Sequence, residues 1–206
     1  MRCRLFRISM ITVFFWMTSV VMAYASASTR ELHADKRIEK PIQKLTLEQL
    51  TKRINNDDIR WDVVQAWAGP RVKGKEAREL LRRGTDVYAH LNDIRKIRKS
   101  SSAQLQQFRR SLLAIEQHLV KMMSDSKRFV VAHVLLTKIL NIRDHTARGF
   151  GDGWSVVYNG LLVRIQITRK KEKWSARSNI PGTSEQQQWI NRYWYIRTRT
   201  LLPSKK

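Results

Sequence analysis

Cysteine is nearly absent from this chain: Cys3 is the only one in 206 residues. It stands ahead of the first apolar run, where a lipid-bearing cysteine of an export signal would not be, and no disulfide can form in the chain beyond it. A domain without disulfides has to be held by its core, and about 180 residues are enough to bury one at single-domain size. Acidic residues are also scarce, 17 against 40 Lys and Arg, for a formal net charge of +23. Such a field favours anionic partners, namely nucleic acid, phospholipid head groups, envelope phosphates or acidic polysaccharide, and it bears on association rather than on fold. After the first 27 residues no second apolar run reaches the roughly 20 residues that a membrane-crossing helix needs.

Metal and catalytic patterns are missing as well. His33, His90, His118, His133 and His145 do not pair with another His, Cys, Asp or Glu at the spacing that one helix or loop needs to hold zinc. Asp144-His145 is the best-placed acid/base pair, but it lacks a nucleophile. Gly149-Phe150-Gly151-Asp152-Gly153 precedes a strand pattern and has no Lys-Ser/Thr partner, whereas phosphate loops follow a strand and open a helix. It is read as a flexible connector. The repeated acidic ligands of a calcium loop are missing around Asp152-Gly153. No cofactor, metal or catalytic residue is expected.

What is present begins with an export signal. Arg2, Arg4 and Arg7 precede a mainly apolar stretch from Ile8 to Met22, and Ala23-Tyr24-Ala25 and Ala25-Ser26-Ala27 both suit a signal peptidase. Residues 1–27 are therefore expected to be a signal peptide, with an uncleaved amino-terminal anchor as the other reading. Residues 28–44 are polar without an apolar period and read as a flexible lead. Residues 45–206 are expected to form a single helical domain, periplasmic or extracellular.

Thr46-Leu47-Glu48-Gln49 has capping-box spacing, with Leu47, Leu50 and Ile54 along one helical face. Asn55-Asn56-Asp57-Asp58 breaks that helix. The steps from Trp61 to Val64 and on to Trp67 or Ala68 then predict a second helix, stopped by Gly69-Pro70. From Lys75 to Arg98, Leu80, Leu81, Val87, Tyr88, Leu91, Ile94 and Ile97 make one helical stripe. The cleanest period is Leu105, Phe108, Leu112, Ile115, Leu119 and Met122. A run from Phe129 to Leu140, apolar nearly all round, predicts a central helix in which His133 is a satisfied core residue.

The period then becomes alternating. Trp154–Tyr158 reads as a strand, Asn159-Gly160 as a type I′ turn, and Leu161, Val163, Ile165 and Ile167 as the buried face of the return strand. A charged loop through Lys170–Lys173 and Asn179–Gly182 leads to a last helix capped by Thr183 or Ser184. Trp189, Ile190, Tyr193 and Trp194 are expected to form its buried face. The fold expected is mainly α, about five helices with one hairpin at about 154–167.

Asn56-Asp57-Asp58-Ile59-Arg60-Trp61 and Ser124-Asp125-Ser126-Lys127-Arg128-Phe129 share a layout: a polar break, then Arg and an aromatic opening a more buried segment. Over about 46–68 and 105–141 this layout is similar to that of HEAT-like helical repeats, which implies a protein-binding scaffold without chemistry.

The basic surplus gathers near the carboxy terminus, where eleven Lys and Arg and two acids lie between Arg164 and Lys206. Arg164, Lys170, Lys171, Lys173, Arg177, Arg192, Arg197 and Arg199 are the candidate anion-binding residues. The expected function is that of an exported, non-enzymatic binding or structural protein, with a protein partner in the cell envelope. The alternative is a basic binder of anionic polymer or membrane surface, with nucleic acid ranked lower.

Overall fold

The computed structural model describes residues 40–64, 67–97, 102–170 and 173–200. The expected signal, residues 28–39 of the expected lead, Lys171 and the chain after Thr200 lie outside these residues. Among the described residues there are a helical turn, Lys40–Gln43, and five helices: α1 (Leu47–Arg53), α2 (Lys75–Ile97), α3 (Ser102–Met122), α4 (Phe129–Ile139) and α5 (Thr183–Thr200). Six strands accompany them, β1 (Ile59–Val64), β2 (Trp67–Val72), β3 (His145–Phe150), β4 (Gly153–Tyr158), β5 (Leu161–Lys170) and β6 (Lys173–Asn179). β1 and β2 form an antiparallel pair, and β3-β4-β5-β6 form a four-stranded antiparallel meander. The fold is thus mixed α and β, not a helical domain with one hairpin.

Three stretches account for that correction. Ile59, Trp61 and Val63 alternate, and this period of two wins over the three- and four-residue steps that suggested a helix; register sets Ile59 opposite Val72, Trp61 opposite Pro70 and Val63 opposite Ala68. Ile59, Trp61, Ala68 and Val72 are all buried. The HEAT-like layout therefore fails in its first copy, where a hairpin replaces the second helix, although α3 and α4 do form a helical pair around Asp125 and Arg128. The glycine-rich connector is likewise structured: Gly149 and Phe150 end β3, and only Gly151 and Asp152 turn back into β4. The charged loop yields β6, an edge strand whose described side chains are all exposed, so it carries no apolar alternation to be read.

Local signals elsewhere behave as their chemistry requires. Thr46 Oγ1 accepts from Gln49 N–H while Gln49 Oε1 accepts from Thr46 N–H, closing the capping box of α1. Asn159 and Gly160 both take positive φ in the turn between β4 and β5. Gly160 also leaves room for the Trp189 ring, because a Cβ there would lie 2.4 Å from it. The expected lead contributes to the fold at its end: Ile42 is buried, and Arg83 of α2 donates to the carbonyls of Gln43 and Leu45 at 2.7 Å.

α4 is the centre of the core. Every side chain from Phe129 to Thr137 is buried, together with Ile139. Its first turn is capped from afar, since Asn56 Oδ1 accepts from the N–H groups of Val130 and Val131 at 3.0 and 3.2 Å. α2, α3 and α5 pack on α4, β5 touches α5, and Leu161, Val163 and Ile165 of β5 belong to the same core.

Candidate functional site

Alternation divides the four-stranded sheet into two chemically different faces. His145, Tyr158 and Leu161 lie in one row, and Ala147, Val156 and Val163 in the next; this face meets the core. The opposite face reads, row by row, Thr146–Val157–Leu162, then Arg148–Ser155–Arg164–Asn179, then Phe150–Gly153–Gln166–Arg177, then Thr168–Ser175. Arg148, Arg164, Gln166, Thr168, Ser175, Arg177 and Asn179 are exposed. No Asp or Glu occurs in any of the four strands. None of the three arginines is in an ion pair among the described residues, so each guanidinium is available to an external anion.

The arginines are within reach of one ligand. Neighbouring strands are about 4.8 Å apart, so Arg148 and Arg164, in one row two strands apart, have Cα atoms separated by roughly 10 Å. Arg177 pairs with Gln166 and is therefore a diagonal neighbour of Arg164. The Thr168 and Ser175 hydroxyls are hydrogen-bonded at 2.6 Å, and Ser155, Gln166 and Asn179 add neutral donors and acceptors.

Of the candidate residues, the structure brings Arg164 and Arg177 together on this face. Lys170 and Lys173 pair across the end of the β5–β6 ladder, although their side chains, like that of Arg199, lie outside the described set. Lys171 lies outside it altogether. Arg192 and Arg197 belong to α5 instead of the sheet. Arg197 Nη1 donates to the Tyr193 hydroxyl at 3.0 Å, and its guanidinium lies 5.8 Å from the Trp194 ring centroid. Arg148 and Phe150 are new members of the face. Reading their segment as a glycine connector concealed the strand that displays them, though the alternation of Thr146, Arg148 and Phe150 with His145, Ala147 and Gly149 was the signal available.

On α5 the expected buried face holds for Ile190 and Trp194, while Tyr193 is only half-buried and Trp189 is 52 % exposed. Trp189 stacks on Tyr193 at 5.6 Å between centroids.

Neither histidine considered for chemistry is free for it. His133 is fully buried: Trp194 Nε1–H donates to its Nδ1 at 2.9 Å, which leaves Nε2–H to donate to the Tyr158 carbonyl at 2.9 Å. Burial pushes its pKa down to about 4, against the opposing effect of the Tyr158 bond. His145 Nε2–H donates to the Ala68 carbonyl at 2.7 Å, and the neighbouring Asp144 carbonyl accepts from Asn159 N–H at 2.6 Å. Among the described residues no group of three His, Cys, Asp or Glu could hold a metal ion. No described helix is long and apolar enough to cross a membrane.

One carboxylate carried no signal in the sequence. Glu116 of α3 is 2 % exposed, and its Oε1 has no hydrogen-bond partner. Burial pushes its pKa up to about 7, partly offset by the charge of Arg197.

The chain matches no protein-family model, no curated protein and no solved structure.

Proposed function

We propose that this protein is an exported, non-enzymatic binder of linear anionic polymers, and that the outward face of the four-stranded sheet is its contact surface. The observation that carries the reading is the grouping of Arg148, Arg164 and Arg177 on one exposed face of four strands that contain no acid. Arginine suits the role, since its planar fork binds carboxylate, sulfate or phosphate through two parallel hydrogen bonds. The net charge, +23 for the whole chain and +20 without Arg2, Arg4 and Arg7, supplies the long-range attraction that brings a polyanion to the face. Export is supported by the Arg2, Arg4 and Arg7 cluster, the apolar stretch from Ile8 to Met22 and the small-residue sites after it. The argument for a protein partner from HEAT-like helical pairs is weaker, because residues 59–72 are a hairpin.

The test is retention of the purified chain on immobilised heparin at low and at near-physiological salt, beside a variant carrying Arg148→Gln, Arg164→Gln and Arg177→Gln. Retention that falls steeply with salt and drops at least tenfold in the variant, with thermal stability unchanged, is expected of a few charge-assisted contacts. No retention at low salt, or equal retention of the two proteins, would overturn the proposal.

A further inference from the structure

The end of the β3–β4 hairpin has a local design that charge does not explain. In two successive rungs an aromatic residue faces a glycine: Gly149 pairs with Trp154, and Phe150 pairs with Gly153. A Cβ on Gly149 would lie 3.8 Å from the Trp154 ring, and a Cβ on Gly153 would lie 3.3 Å from Phe150 Cζ and 2.4 Å from the Ile165 carbonyl oxygen. Each ring thus lies across a glycine of the partner strand, as cross-strand aromatic–glycine pairs do. Phe150 remains 47 % exposed, with its outer ring surface open to solvent. A shallow depression of about 500 Å³ lies at this hairpin end, lined by Gly149–Trp154 and Ile167 and so in part by the sheet's other face.

This ring is continuous with the arginine face. Phe150 shares its row with Gln166 and Arg177, and it follows Arg148 by two positions along the same side of β3. Resting on the reading of the face as a polyanion surface, we infer that the polymer is an acidic polysaccharide, one of whose sugar rings stacks on Phe150 while its carboxylates or sulfates meet Arg148, Arg164 and Arg177. Three features favour a sugar over other anionic chains. The groups between the arginines are hydroxyls and amides, which match sugar hydroxyls and offer nothing to an acyl chain. Asp152 at the exposed tip can accept from sugar hydroxyls, donors that a polyphosphate or an acyl chain lacks. A strand of nucleic acid is gripped by aromatics that stack successive bases, and this face presents one ring.

The experiment compares Phe150→Ala with the wild-type chain and the triple arginine variant on four probes: heparin, inorganic polyphosphate, single-stranded oligothymidine and vesicles rich in phosphatidylserine. The expected result is a loss of about tenfold or more in heparin affinity for Phe150→Ala, the order of a single lost stacking contact, with polyphosphate affinity unchanged. The triple variant should lose both. Losing the ring over Gly153 should lower the melting temperature by a few degrees at most, and Phe150→Tyr, which keeps the ring, should retain both stability and heparin. If Phe150→Ala binds heparin as the wild type does, the sugar inference fails while the polyanion reading stands. If Phe150 matters for oligothymidine or vesicles but not for heparin, the inference is overturned in favour of that ligand. If the wild type binds none of the four, the polyanion reading itself is lost.

Discussion

α5 meets the rest of the core beside two buried ionisable groups, and the two are handled in opposite ways. His133 has both ring nitrogens bonded, to Trp194 of α5 and to the Tyr158 carbonyl at the end of β4, so one neutral imidazole joins α4, α5 and the sheet. Glu116, on α3, feels the charge of the exposed Arg197 of α5, and its Oε1 is left without a partner. A satisfied polar group in a core specifies geometry at little net cost, whereas an orphaned one costs the full desolvation of its charged form. The difference sets opposite pH dependences. The depressed pKa of His133 contributes stability that is present above about pH 6.5 and lost as pH falls towards about 4. The raised pKa of Glu116 contributes stability that is present below about pH 4.5 and lost as pH rises through about 7.

The comparison is broken most severely by His133→Leu. The substitution keeps bulk but leaves the Trp194 N–H buried without a partner, at about 1–3 kcal/mol, and removes the bond to the Tyr158 carbonyl, at about 1 kcal/mol. Urea denaturation at pH 7 should show a loss of about 2–4 kcal/mol; a loss below about 1 kcal/mol would mean that the two bonds do not hold α4 to α5 and the sheet.

Glu116→Gln sharpens the comparison from the other side. Removing the ionisable group should leave stability near pH 4.5 unchanged and raise it by up to about 3 kcal/mol at pH 8, the equivalent of a pKa near 7 instead of 4.5. The two unfolding free energies, measured from pH 4.5 to 8, should therefore diverge steadily; parallel curves would place the Glu116 carboxyl in contact with solvent. The smallest effect belongs to Arg197→Met. Losing that charge should move the Glu116 transition to higher pH and cost less than about 1 kcal/mol at pH 8, because Arg197 is exposed and its field is screened.

The same contrast marks how far individual residues are legible in the sequence. His133 was legible as a core residue because the helix around it is apolar on every side. Glu116 was not, because it sits in an amphipathic helix, one position from Ile115, where a charged residue is ordinarily turned outward. Arg164 was a candidate by charge alone, on a strand that its period did mark, but its partnership with Arg148 and Arg177 depends on register with β3 and β6, which were read as a connector and a charged loop.

The amino-acid sequence by itself determined the local elements whose causes lie within a few residues. These are the Thr46–Gln49 box, the long amphipathic helices α2 and α3, the apolar helix α4 and the Asn159-Gly160 turn, each set by capping chemistry, side-chain period or positive φ. Tertiary structure alone decided the rest. In β1 the core decided between two periods that the sequence carries, by offering a surface to Ile59 and Trp61, and β2 paired with it. β6 became a strand because β5 supplied its ladder. Asn56 caps α4 from 74 residues away, and three arginines share a face because the meander orders its strands β3-β4-β5-β6 in a register that puts Arg148, Arg164 and Arg177 on one side. Period and propensity act along the chain, while pairing, burial and register act between segments whose separation no local pattern records.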